Sequence, residues 1–146
     1  MGRCCKGQSL VELVVATGAM SLLLVSLLAL MSLSLKNSRL AKDRAQAVAL
    51  ASQGVELMRA YRDYNWSELL SSADGTNYSL PDNWVVEDGL AEACVEQRQI
   101  NDFFWRCVSL TAPASGQAEI NISVSWSEGG QVLTTNQVGQ LALWER

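Results

Sequence analysis

The feature that most constrains this chain is an uncharged run near its N-terminus. Residues 13–35 are 23 consecutive positions without Asp, Glu, Lys or Arg, rich in Leu, Val, Ala and Ser. As a helix rising about 1.5 Å per residue, the run spans roughly 35 Å, enough to cross the hydrocarbon core of a bilayer. Glu12 stands immediately before it and Lys36 immediately after it. The run is too long for an ordinary secretory signal core, and it leads into a helical pattern without a small-residue cleavage site.

The helical pattern continues beyond the span. Leu40, Ala41, Ala45, Val48, Ala51, Val55 and Met58 recur at steps of mostly three or four, which predicts an amphipathic stalk. Residues 1–80 contain no proline, and Gly54 is the one glycine between Gly18 and Gly75. A single long helix is therefore expected from about residue 8 to residue 63, with the transmembrane part at 13–35 and the stalk at 36–63. Residues 65–83, rich in Ser, Asp, Asn and Gly, read as a loop.

The remainder reads as β-structure. Ile120, Ile122, Val124 and Trp126 alternate with polar residues, and Glu128-Gly129-Gly130 supplies a turn into a return strand from Val132. Residues 94–99 and 103–110 are expected to pair, Val85-Val86 to form a short strand, and Leu141, Leu143 and Trp144 to close the sheet. The fold class is α+β: a long N-terminal helix packed on a small antiparallel β-sheet head at residues 64–146. The tryptophans at 66, 84, 105, 126 and 144 are expected in the core and in head–helix contacts, in preference to a ligand-stacking surface.

Charge and composition exclude several functions. Residues 36–63 carry a net +3, whereas residues 64–146 carry −8. A head of that sign repels phosphate backbones, so no nucleic-acid partner is expected for it. The chain contains no histidine, which removes the commonest general base and zinc ligand. No C-x-x-C, P-loop or dinucleotide-binding glycine motif occurs. No catalytic residue, metal or cofactor is expected, and the chain is expected not to be an enzyme.

The N-terminal residues carry the most specific signal. Lys6-Gly7-Gln8-Ser9-Leu10-Val11-Glu12, followed by the uncharged run, resembles the processing site of type IV prepilins and type II secretion pseudopilins. The resemblance implies a leader at residues 1–7, cleavage between Gly7 and Gln8 by a prepilin peptidase, and N-methylation of Gln8. It further implies a role for Glu12 in filament assembly, as the carboxylate five residues into the mature chain. At lower specificity, Ala51-Ser52-Gln53-Gly54-Val55-Glu56, Phe104-Trp105-Arg106 and Val124-Ser125-Trp126 resemble the smaller, minor-pilin branch. Gln8 stands where the family mostly has Phe or Met, and the anchor lacks the proline of many major pilins.

The spacing has a physical rationale. A new α-amine at Gln8 is a cation that packing among helices would desolvate. A carboxylate on a neighbouring subunit can pair with it, and either charge left unpaired is costly, so the pair would select the register of assembly. The implied partners are the prepilin peptidase, other pilin subunits, an assembly platform and the cytoplasmic membrane. The implied location is a single-pass precursor in that membrane with the head outside, and then a cell-surface or periplasmic filament. The alternatives are a pseudopilin of a secretion or DNA-uptake machine, and a signal-anchored binding protein that never polymerises.

Two features bear on sidedness. Lys36, Arg39, Lys42 and Arg44 follow the span while Arg3 and Lys6 precede it, and this count by itself would leave the head in the cytoplasm. The implied N-in topology and the head cysteines point the other way. Cys94 and Cys107 are either two buried thiols or a disulfide, and an extracytoplasmic head favours the bond. Their midpoint falls between Ile100 and Asn101, so a hairpin turn there would bring them opposite each other. Cys4 and Cys5 precede the apolar run, the wrong side for a lipidated cysteine.

Overall fold

The computed structural model describes residues 8–90, 93–95, 100–114 and 116–143. Its first element is α1, Gln8–Tyr64, a helix of 57 residues. The chain divides into two compact units at Lys42/Asp43, so α1 contributes to both.

In the first unit every described residue from 10 to 39 is exposed. This part of α1 is long and apolar enough to cross a membrane, with a mean hydropathy of 2.4 in its most apolar window. Three of its hydroxyls bond to its own backbone. Thr17 Oγ1 donates to the Leu13 carbonyl at 2.9 Å, Ser21 Oγ to the Thr17 carbonyl at 2.7 Å and Ser26 Oγ to the Leu23 carbonyl at 2.8 Å. Such bonds let polar side chains face hydrocarbon without an unpaired donor.

In the second unit, Ala47, Ala51, Val55, Met58 and Tyr61 form the buried stripe of α1. This corrects part of the expected stripe. Ala41 and Ala45 are exposed, and Val48 is 52% exposed. Alanines occur on two neighbouring faces of the helix, and the sheet takes the one that continues through Gly54 to Met58 and Tyr61.

Residues 65–83 are not a plain loop. A short helix, α2 (Trp66–Ser71), and a strand, β1 (Asp74–Ser79), lie within them. Asn65 caps α2 by accepting from the Glu68 amide at 3.2 Å, its own Nδ2 donates to Glu68 Oε2 at 2.8 Å, and Leu69 anchors the turn in the core. Polar composition concealed both elements, because capping side chains are also turn formers. Val85-Val86 is likewise not a strand: Val86–Asp88 form a 3-10 turn, with the Val85 amide donating to Asp88 Oδ2 at 3.3 Å.

The sheet is a four-stranded antiparallel meander, β1-β2-β3-β4, in which β2 is Phe104–Ala114, β3 Gln117–Glu128 and β4 Gln131–Ala142. Ala118, Ile120, Ile122, Val124 and Trp126 of β3 are buried, as the alternation predicts. Gly129 and Gly130 have φ of 59° and 80°, the pair of positive values that a two-residue type I′ hairpin requires. Leu141 closes the core, Leu143 is exposed, and Trp144 lies outside the described residues.

Of the expected pairing of residues 94–99 with 103–110, the described residues show only the turn end, where Ile100 bridges antiparallel to Phe104. The neighbours of β2 are β1 and β3. Cys94 is attached through its amide to the Asn77 carbonyl at 2.9 Å, and residues 96–99 lie outside the described residues. Asn101 and Asp102, with φ of 53° and 56°, reverse the chain before Phe104. These two residue types tolerate the left-handed region best among side-chain-bearing residues. Of the tryptophans, Trp84, Trp105 and Trp126 are buried and Trp66 packs against the core. The Trp84 ring meets Tyr61 edge-on at 5.6 Å.

Candidate functional site

Gln8 opens α1, and Glu12 follows it by four residues on the same helix, about 6 Å further along the axis. Gly7 lies outside the described residues. Glu12 is exposed and bordered by Val11, Val15, Ala16 and Ala19. Among the described residues its carboxylate has no hydrogen-bond or ion-pair partner. Residues 10–35 otherwise present only uncharged side chains, so Glu12 is the single fixed charge on that part of the helix. Any surface that packs against it must supply a cation or donors, or leave the carboxylate in water.

The structure brings Cys94 and Cys107 together as a disulfide with Cα atoms 5.7 Å apart, within the usual range. Cys107 lies in β2 on the face away from α1, alternating with Arg106 and Val108, which face the core. The bond fastens the segment before Ile100 to the middle of the sheet.

Arg106 entered the sequence reading only within Phe104-Trp105-Arg106, with no role of its own. It is only 2% exposed and sits among Phe104, Val108 and Leu110 on the core-facing side of β2. Its Nε donates to the Leu80 carbonyl at 3.1 Å, Nη1 to the Leu50 carbonyl at 3.0 Å and to Gln53 Oε1 at 3.2 Å, and Nη2 to the Pro81 carbonyl at 3.4 Å. One guanidinium thus joins α1, β2 and the segment after β1. Burial pushes it down to about 10, against the opposing pull of Asp82. Gly54 makes room for it: a Cβ there would lie 3.1 Å from Arg106 Cδ and 2.9 Å from Ile122 Cγ2. The detectable signal was a charge in an inward register position of an apolar strand.

A second buried polar group is Tyr61, whose Oη lies near the Glu68 carboxylate and the Leu90 backbone without meeting strict hydrogen-bond geometry. Burial and the nearby Glu68 carboxylate push the phenol up to about 12. Both Arg106 and Tyr61 are core groups, enclosed by packed side chains. Among the described residues no group of three His, Cys, Asp or Glu is placed to hold a metal ion.

The arrangement therefore divides chemically into an apolar helix bearing one carboxylate and a cross-linked head. Comparison with protein-family models, with curated proteins and with solved structures finds no match.

Proposed function

We propose that the chain is a structural subunit of a type IV pilus-like filament, of the minor-pilin kind, made as a prepilin and assembled through α1. The observation that carries this reading is the position of Glu12. A lone carboxylate stands at the head of a long uncharged helix, four residues after a Gln8 that follows Lys6-Gly7. The α+β layout, with the second half of α1 packed on a four-stranded antiparallel sheet, is compatible with a pilin-like subunit.

In this reading the peptidase cuts the Gly7–Gln8 bond, and the freed amine of Gln8 is methylated. Residues 10–35 supply the apolar surface for helix packing. The Gln8 amine of an incoming subunit pairs with Glu12 of a neighbour and fixes the register. The chain is a substrate of catalysis and performs none. A pseudopilin of a secretion or DNA-uptake machine would use the same processing and the same pairing.

Intact-mass measurement of protein extracted from host membranes tests the reading. The expected product begins at Gln8 and carries one added methyl group. A full-length mass from cells with an active prepilin peptidase would overturn it in favour of a plain signal-anchored protein.

A further inference from the structure

The two edges of the sheet are built differently. β1 is six residues long and starts with Asp74 and a Gly75 at φ 81°. Its pairing slips between Asp74 and Asn77, and Tyr78 bridges to Ala93 while Asn77 accepts from Cys94. A short strand, a charge, an irregularity and a covering segment are the means by which proteins protect an edge.

None of these means is found on β4. Its twelve residues contain no charge and no proline. It pairs with β3 through all twelve positions without a register shift, and no described strand covers its outer edge. Val132 and Val138 are 56% and 61% exposed. Together with Thr134 and Asn136 they form one row on the face away from α1, because alternate residues of a strand share a face.

We propose that the outer edge of β4 is a docking site for an extended segment of a different protein chain, which adds to the sheet as a fifth strand. The row of backbone donors and acceptors selects the class of partner, since only another extended backbone matches its repeat. The side chains narrow it further. The segment carries apolar or β-branched residues at alternate positions, against Val132 and Val138. It is uncharged or basic, because the charges of β3 on that side are Glu119 and those of the head sum to −8.

A second copy of this chain is a poor occupant. Ser52 Oγ lies 3.1 Å from Gln137 Oε1, and a Cβ on Gly139 would lie 3.7 Å from Val55 Cγ1. Residue numbers therefore rise together along α1 and β4 where they meet. The symmetric way for two copies to share this edge is an antiparallel β4–β4 ladder. That ladder would run the 52–55 stretches of the two α1 helices in opposite directions, whereas subunits of the filament proposed above share one direction.

The test uses the full chain in host membranes, with a photo-crosslinking amino acid placed in turn at Val132, Thr134, Asn136 and Val138, and at Thr76 on the protected edge. Expected are adducts from the four β4 positions to one segment of another protein, with attachment points that step by about two residues for each two residues of β4, and none from Thr76. Val138→Lys and Asn136→Lys, at exposed positions, should each lower adduct yield from Val132 by about tenfold while leaving the thermal midpoint of the head unchanged. The proposal is overturned by no adducts from β4, by attachment points without the stepped register, by adducts joining two copies of this chain, or by undiminished yield in both lysine variants.

Discussion

Gly54→Ala gives helix propensity and tertiary packing opposite signs. In an isolated helix the change stabilises by about 1 kcal/mol. Here the new Cβ would sit 2.9 Å from Ile122 Cγ2 and 3.1 Å from Arg106 Cδ. Relieving both contacts requires α1 and the sheet to separate by about half an ångström, which places the cost among overpacking changes of about 1–3 kcal/mol. The same movement lengthens the 3.0 Å bond from Arg106 to the Leu50 carbonyl. A charged hydrogen bond contributes about 1.5–3 kcal/mol, and part of that is lost. The net expectation is a loss of about 2 kcal/mol, equivalent to a fall of roughly 10 °C in the thermal midpoint of a head of this size. The assay is thermal unfolding of the full chain in detergent micelles, followed by near-UV circular dichroism of its tryptophans. Gly18→Ala, where a Cβ meets nothing within 4 Å, serves as the control and should leave the midpoint in place. A midpoint for Gly54→Ala equal to or above that of the parent would refute the close approach of α1 to β2 and β3.

Four further outcomes are expected. Thiol labelling of the leader-free chain under denaturing, non-reducing conditions should find no free cysteine, and Cys94→Ser with Cys107→Ser should cost about 3 kcal/mol, as expected for a loop of this size. Tyr61 has its folded-state pKa raised from 10.0 to about 12, so the folded state keeps a proton that the unfolded chain releases, and stability should fall as pH rises from 10 to 12. Tyr61→Phe should remove that fall, and an equally steep fall in the variant would count against the assignment. Glu12→Ala should leave cleavage after Gly7 intact while incorporation into sheared filaments drops sharply, and Gly7→Val should leave uncut chain in the membrane; wild-type incorporation of methylated Glu12→Ala would return Glu12 to the polar flank of an anchor. Alkaline phosphatase fused after Arg146 should be active, and activity of a cytosolic reporter there instead would reverse the topology.

What could be read from the sequence follows from which signals are local. The apolar helical run at residues 13–35 and the alternation from Ile120 to Trp126 are local patterns along one element, and the helix and the strand both appear where expected. The face that α1 buries is set by the sheet, so Ala45 and Val48 could not be distinguished from Ala47 and Ala51 by periodicity. The partner of β2 is set by a chain reversal at Asn101 and Asp102, and those residue types suit ordinary loops equally well. Arg106 was hidden for a related reason. A lone cation in a strand signifies surface unless the opposite element offers carbonyls, and that offer depends on tertiary structure. Gly7, Gln8 and Glu12 were legible as a spacing along the chain, and the processing and assembly roles proposed for them rest on that spacing.

The guanidinium of Arg106 also makes two distant positions behave as one. Gly54 and Arg106 are 52 positions apart in the chain, yet each is acceptable because of the other. A larger residue at 54 requires a smaller one at 106, and a neutral residue at 106 strands acceptors at Leu80, Pro81 and Gln53. Substitutions at the two positions should therefore be tolerated in pairs and rejected singly. A hybrid that joins this helix to another head would inherit a notch with nothing to fill it, unless the graft also brings an inward-facing arginine on its second strand.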